Sequence, residues 1–342
     1  MRLNWHRGGS VELPTTSIYF SEAMRGDIGP FGSSRHVIWR ISPNAFLIPG
    51  SGHPQILIIR SIDPQARAFL ARYSQARVHY LVDDDIWSGV KDPALPITYR
   101  SRLLTLIRET AAPLLQRAEH VYVTSPALQD RLPWRAKLIQ PGLIELPAEL
   151  DHHADAALSI VFASTRSHRE DLAAIARPLS QFLQQHPECR LETFLGDHIP
   201  PSLILPNAHH HKPRSWNDYR HVLRSRRFHI GIAPALPTPF NIARSCNKML
   251  EFACFGGAPV YGSGVSFRNI AADAGAAVIC DETPGDWLAV LNTLHENRPA
   301  LRAIAAANRS LALRLGDPQA LRSFWLEELA LPSRTSSERI AA

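Results

Sequence analysis

The chain has 342 residues, 45% hydrophobic and 20% charged, with a formal net charge of +6. That length suits two α/β units and that apolar fraction suits globular cores. The positive balance admits an anionic ligand or an anionic membrane surface, but no aromatic-interleaved basic motif accompanies it, so nucleic acid is not an expected partner. Cys189, Cys246, Cys254 and Cys280 show no CxxC spacing, as expected of reduced core thiols in a cytoplasmic protein. No apolar stretch approaches the roughly 20 residues of a membrane helix, and no charged leader ahead of an apolar run marks a signal segment. The expected location is the cytoplasm, with peripheral contact at the inner face of an anionic membrane left open.

In chain order, residues 56–59 (ILII) read as a buried strand, 64–73 as a short helix and 78–82 as a strand ending in Asp83, Asp84 and Asp85. Residues 97–117 form a long amphipathic helix, kinked at Pro113. Residues 120–123 (HVYV) form a strand, Ser125-Pro126 opens a helix, and 137–140 form a short strand before Pro141-Gly142. Residues 142–157 lack apolar periodicity and read as a connector.

A second array follows: a strand at 158–163, a polar loop at 164–169, a helix at 171–185, a strand at 190–195 and a helix at 216–225. Residues 228–233 form a strand, and Pro234, Pro237 and Pro239 hold the next loop open. Ser245 caps a helix carrying Lys248 and Glu251 on one face, and Gly256-Gly257 ends it. Strands at 258–261 and 276–280 and helices at 286–297, 299–315 and 317–329 complete the pattern. Alternating strands and helices predict an α/β fold of two Rossmann-like domains with parallel sheets, facing across a cleft. The expected units are residues 1–150 and 151–316, a helix over 317–330 crossing back to the first domain, and a flexible tail over 331–342.

Several constellations carry chemistry. A helix start behind a strand favours an anion. Lys248 there suits a phosphate and Glu251 a ribose hydroxyl; an exposed i,i+3 ion pair is the plainer account. Asp83, Asp84 and Asp85 read as a helix-capping loop, as a DxD-type metal site, or as acid–base groups at a cleft rim, since crowded carboxylates raise one another's pKa. Residues 163–171 (ASTRSHRED) read as a Ser167/Glu170 capping box or as a diphosphate loop offering Arg166 and backbone N–H groups. Residues 26–44 place glycines and serines before Arg35, either as an anion-holding loop or as a plain loop before a strand. His209, His210 and His211 read as a solvated loop. No GxSxG, Walker or GxGxxG element is present, which speaks against serine hydrolases, P-loop kinases and dinucleotide oxidoreductases.

Residues 228–262 (FHIGIAPALPTPFNIARSCNKMLEFACFGGAPVYG) resemble the glycosyltransferases of the GT-B fold, in the broad family 1/family 4 group and its bacterial members. Pro234, Phe240, Asn241, Ser245, Lys248, Glu251, Gly257 and Pro259 stand at matching places. The resemblance implies that Glu251 binds the ribose of a sugar nucleotide and that residues 241–245 approach the sugar or diphosphate. The string YLVDDDIW at 80–87 is similar to a first-domain element of a bacterial subgroup, with Leu81 where an aspartate is usual, which favours the cleft-rim reading. His168 and Asp171 match a second-domain stretch, and Trp39-Arg40-Ile41-Ser42-Pro43 is similar to an acceptor-side element.

The implied activity is transfer of a sugar from a nucleoside diphosphate sugar to a saccharide, lipid-linked or other small acceptor, as in polysaccharide biosynthesis, with no metal and no cofactor. The helix dipole, Lys248 and Arg166 would take up the leaving charge, and Asp83, Asp84 or Asp85 would supply a base. One departure stands out: Ala243 occupies the place where many members carry the first of two glutamates. Either Asn241 or Arg244 supplies that donor contact, or the chain is a catalytically degenerate shell that binds nucleotide sugar or glycan without turnover. A sugar-nucleotide epimerase of similar two-domain shape is a third reading.

Overall fold

The computed structural model describes residues 13–49, 52–132, 136–280 and 284–332. Among them the strands assemble into two sheets, of seven and six strands. Residues 333–342, most of the expected tail, lie outside the described residues.

The first sheet runs in sequence order through β1 (Ile28–Pro30), β2 (Ile38–Ser42), β3 (Ala45–Ile48), β4 (Gln55–Ile59), β5 (Arg77–Val82), β6 (His120–Val123) and β7 (Lys137–Leu138). It is not wholly parallel, as the alternation predicted. β3 pairs antiparallel with both β2 and β4, and the other neighbours pair in parallel. The cause is local: only Pro43 and Asn44 separate β2 from β3, and so short a turn allows antiparallel pairing alone.

One face of this sheet carries Ile56, Ile58, Val78, Tyr80 and Val82 under the helices Pro64–Arg72, Ile97–Leu106 and Ala112–Arg117. The opposite face carries Phe46, Leu57, Leu81 and Tyr122 under Ile18, Tyr19 and Phe20 and under Trp325 of the helix Pro318–Glu328. Trp325 Nε1 donates to Tyr19 O at 2.6 Å, so the last helix and the N-terminal segment are bound to each other on the first sheet. The expected kink at Pro113 is a π turn over Ile107–Ala111. Pro113 has no N–H to donate and its ring crowds the preceding turn, and the widened turn accommodates both.

The second sheet contains β8 (Ser159–Phe162), β9 (Arg190–Thr193), β10 (Ala208–His210), β11 (Ile230–Ala233), β12 (Ala258–Tyr261) and β13 (Val278–Ile279). Its order is β10-β9-β8-β11-β12-β13, parallel throughout. The direction of winding reverses between β8 and β11, and ligands of doubly wound sheets bind at the carboxyl ends of such a pair. The helix Asn247–Phe255 connects β11 to β12 and ends at Gly256, whose φ of 73° places it in the left-handed region. A Cβ there would also lie 2.7 Å from the His152 ring, so only glycine fits.

Two local expectations change. Ala208–His210 is an edge strand rather than a loop, and His211 beyond it meets Glu192 at 2.8 Å. The helix expected over 171–185 is two helices, Arg169–Ala174 and Ala176–Gln185, joined at Ile175.

Several imidazoles are buried neutral. Burial holds His79 and His153 down at about 4 and His229 at about 3. The unfolded chain takes up these protons from the ordinary value of 6.5 downward, so the stability they lend is full above that pH and is lost as pH falls toward 4. The melting midpoint is therefore expected to fall steadily between pH 6.5 and pH 4 in a thermal-melt series. A flat profile over that interval would show that these groups titrate alike in both states.

Candidate active site

The carboxyl end of β5 carries the three aspartates, and they separate in function. Asp85 caps the helix Ile86–Lys91, accepting from Ser88 N at 3.0 Å, and pairs with Arg131. Arg131 also donates to Pro239 O at 3.2 Å. Asp85, expected as one of three candidate bases, is thus engaged as a helix cap and in an ion pair.

Asp83 and Asp84 share a guanidinium that the sequence reasoning passed over. Arg60 pairs with Asp83 and reaches Asp84 at 3.2 Å. It follows β4 directly, at a φ of 65°, an uncommon conformation for a side chain of its size. The available signal was its position: a lone charged residue ending the apolar run ILII, at the carboxyl end of a central strand. Thr15 Oγ1 donates to Asp83 Oδ2 at 2.5 Å, and Thr124 Oγ1 to Asp83 O at 2.8 Å. Burial pushes both carboxyls up. At Asp83 it prevails over Arg60 and is reinforced by the Asp84 charge. At Asp84 the charges of Arg244 and Arg60 outweigh it and hold the carboxyl below the usual range.

The second domain meets this cluster at its own switch point. Arg244 Nε stands 3.8 Å from Asp84, and Arg244 Nη1 lies 2.6 Å from His168 Nε2. His168 Nδ1 in turn meets Asp171 Oδ2 at 2.7 Å. An arginine only donates, so His168 Nε2 accepts and Nδ1 carries the proton toward Asp171. Burial and the Arg244 charge lower the His168 pKa and keep this tautomer neutral. Asp171 Oδ1 accepts from Leu236 N at 2.9 Å and from Asn241 Nδ2 at 3.2 Å. A continuous chain of ion pairs and hydrogen bonds therefore runs from Asp83 through Arg60, Asp84, Arg244 and His168 to Asp171.

The loop after β11 makes the physical junction. Thr238 caps a short helix, Pro239–Ile242, that places Phe240 in the first domain's core beside Leu103 and Val82. A Cβ on Gly89 would lie 2.9 Å from the Phe240 ring, so glycine permits this approach. Ser125 Oγ donates to Ala243 O at 2.6 Å, and Tyr19 Oη to Asn247 Oδ1 at 3.1 Å. Ala243 is fully buried, so packing fills the place where a glutamate was expected, and the neighbouring Arg244 brings the charge.

Ser245 does not cap the next helix. The helix begins at Asn247 with Cys246 ahead of it, and Ser245 lies beside the Tyr19 hydroxyl instead. Lys248 Nζ donates to Ala163 O at the end of β8 and to Glu251 Oε2 at 2.6 Å, while Tyr219 Oη reaches that same oxygen at 3.4 Å. Arg166 is exposed in a 3-10 turn after β8, and Ser167 pairs with Thr165 at 3.0 Å rather than forming a capping box with Glu170.

The two acceptor-side arginines are not part of this cluster. Arg35 is exposed in the loop before β2. Arg40 sits within β2, its guanidinium 4.9 Å from the Phe46 ring centroid on the sheet face that carries Ile38. An open groove of about 550 Å³ separates Pro93, Leu95 and Pro96 of the first domain from Arg169, Ala173 and Leu236 of the second.

No protein-family model and no curated protein sequence matches the chain. Solved structures do. Anabaena Alr3699/HepE, solved in complex with UDP and glucose, superposes with a TM-score of 0.60 at 13% identity, covering 80% of this chain and 77% of that one. WaaG, a glycosyltransferase involved in lipopolysaccharide biosynthesis, superposes at 0.54 with 15% identity over 78% and 80% of the two chains. Sucrose-phosphate synthase from Thermosynechococcus elongatus superposes at 0.55 with 14% identity over 78% and 75%. The chain has the GT-B fold: two Rossmann-like domains joined at the carboxyl edges of their sheets. Among the described residues, no helix is long and apolar enough to cross a membrane.

Proposed function

We propose that the chain is a glycosyltransferase that moves a sugar from a nucleoside diphosphate sugar to a saccharide or lipid-linked acceptor. One observation carries the reading: the β8/β11 switch point holds His168, Asn241, Arg244, Lys248 and Glu251, and Arg244 reaches Asp84 of the other domain. Similarity to a structure holding UDP and glucose supports the donor class.

Glu251 would accept the ribose hydroxyls, with Lys248 and Tyr219 fixing its carboxylate. Arg244, Lys248 and Arg166 would stabilise the departing diphosphate by fixed positive charge, a role that requires no metal. The acceptor would enter by the open groove and present a hydroxyl to Asp83, whose Oδ2 is occupied by Thr15 and Arg60. An acceptor of polysaccharide type is the proposed class, by analogy with WaaG, whose reaction belongs to lipopolysaccharide biosynthesis.

The test is nucleotide binding by Glu251→Ala. Its melting midpoint without ligand should stay near that of the parent, while stabilisation by UDP or GDP should fall at least about tenfold in apparent affinity, as expected for loss of a charged hydrogen bond. Unchanged affinity for both nucleotides would overturn the reading. A binding-only shell is separated from an enzyme by donor turnover, which the shell would lack.

A further inference from the structure

A second cluster lies on the amino-terminal edge of the second sheet, opposite the edge that faces the first domain. His186 follows the helix Ala176–Gln185, Glu188 and Cys189 lead into β9, and His295 lies in the last turn of the helix Pro284–Glu296. We propose that His186, Glu188 and His295 bind a transition-metal dication, with zinc the best match to the donor set.

The distances support a shared ion. Glu188 Oε1 lies 3.6 Å from His186 Nδ1 and 3.6 Å from His295 Nε2. One ligand atom from each of the three residues falls within a span of 4.8 Å. Ligands at about 2.0–2.1 Å from a tetrahedral zinc stand about 3.3 Å apart, so the two Glu188 contacts already lie near that spacing and small rotations of the three side chains close the site. Two imidazoles with one carboxylate suit zinc or a neighbouring first-row ion better than magnesium or calcium, which take oxygen sets. Water would fill the fourth position on the solvent side.

Hydrogen bonds behind the rings set the donor atoms. His186 Nε2 lies 3.1 Å from Asn292 Oδ1, a carbonyl oxygen that only accepts, so Nε2 carries the proton and the Nδ1 lone pair faces Glu188. His295 Nδ1 lies 3.7 Å from the buried Cys189 sulfur, which turns Nε2 toward the same carboxylate. Such outer hydrogen bonds orient histidine ligands and raise their basicity. The buried Phe182 ring packs beneath both imidazoles, at 4.7 Å from His186 and 6.0 Å from His295, and gives them a rigid floor. The His186 Nδ1 lone pair thus faces the Glu188 carboxylate, whose Oε1 also accepts from the Cys189 thiol at 3.8 Å.

A bound ion would join the turn before β9 to the helix Pro284–Glu296 and stabilise the second domain by mass action. The site has no part in sugar transfer, and its test does not depend on that reading. The EDTA-treated full chain is titrated with Co²⁺ for visible absorption and with Zn²⁺ for melting midpoint. One equivalent of Co²⁺ with tetrahedral bands and a Zn²⁺-dependent rise in midpoint are expected. Both should persist in His209→Ala/His211→Ala and vanish in His186→Ala/His295→Ala, whose metal-free midpoint reports its folding. Asn292→Ala should weaken the ion about 10–100-fold. Absence of stoichiometric binding, retention of the signals in the His186/His295 variant, or their loss in the His209/His211 variant would overturn the proposal.

Discussion

Replacing Arg60 with alanine is expected to cost about 3 kcal/mol of stability at neutral pH, the lower end for removing one partner from a buried ionic cluster, since its side chain is 28% exposed. The loss arises from what stays behind: Asp83 and Asp84, with side chains 10% and 9% exposed, would face each other without the cation between them. The Asp83 pKa, already raised, would rise further, and Asp84 would lose one of the charges that hold its carboxyl down. For an acid with a raised folded pKa, the penalty is full above that pKa and fades as pH falls toward the unfolded value of about 3.9. The gap in melting midpoint between parent and Arg60→Ala should therefore narrow as the buffer is lowered from pH 7.5. Arg60→Gly separates charge from backbone. It removes the same guanidinium but accepts the φ of 65° without strain, and should recover about 1 kcal/mol relative to alanine. Equal midpoints for the two variants would show that the backbone conformation carries no strain, and a gap that widens in acid would show that the carboxylates are held by other partners.

Arg60 also marks the limit of what the sequence makes legible. Periodicity finds ILII at 56–59 and HVYV at 120–123 because those strands are buried on both faces, and the proline-rich loop with Lys248 and Glu251 carries its own punctuation. The pairing of Arg60 with Asp83 depends on β4 and β5 lying side by side, a contact between residues 23 apart. The N-terminal segment gave less warning still. Thr15 and Tyr19 reach the junction from a short irregular helix whose polar residues, Thr16 and Ser17, are as buried as its aromatics. Phe240 reads as a loop residue, yet it fills a core in the other domain. Ser245 failed as a cap for the same reason: Tyr19 and Asn247 meet across the junction and draw the chain into a separate turn before the helix begins. Tertiary contacts between distant segments decide each of these, and local pattern is blind to them.

The Arg244–Asp84 contact yields the most discriminating prediction, because its two ends should respond in opposite directions. In the ligand-free chain Arg244 is shared between His168 and Asp84. A diphosphate entering beside Lys248 would compete with Asp84 for that guanidinium. Asp84→Asn removes the competitor and should tighten UDP binding by several-fold, up to about tenfold for 1.4 kcal/mol. Turnover should fall by about 10²–10⁴ in the same variant if Asp84 holds the acceptor hydroxyl or keeps Asp83 poised to receive its proton. Arg244→Ala should weaken UDP by about 10–100-fold, the cost of a charge-assisted hydrogen bond of 1.5–3 kcal/mol. Arg244→Lys should not restore it, since one ammonium does not span His168, Asp84 and the Phe240 ring, whose centroid lies 5.3 Å from the guanidinium carbon. Titration calorimetry with UDP, paired with steady-state transfer, separates the alternatives. Opposite signs for the two variants mark Arg244 as a phosphate ligand that Asp84 restrains. A parallel loss of affinity in both would mark the contact as a clamp between domains and move the diphosphate site to Lys248 and Arg166 alone.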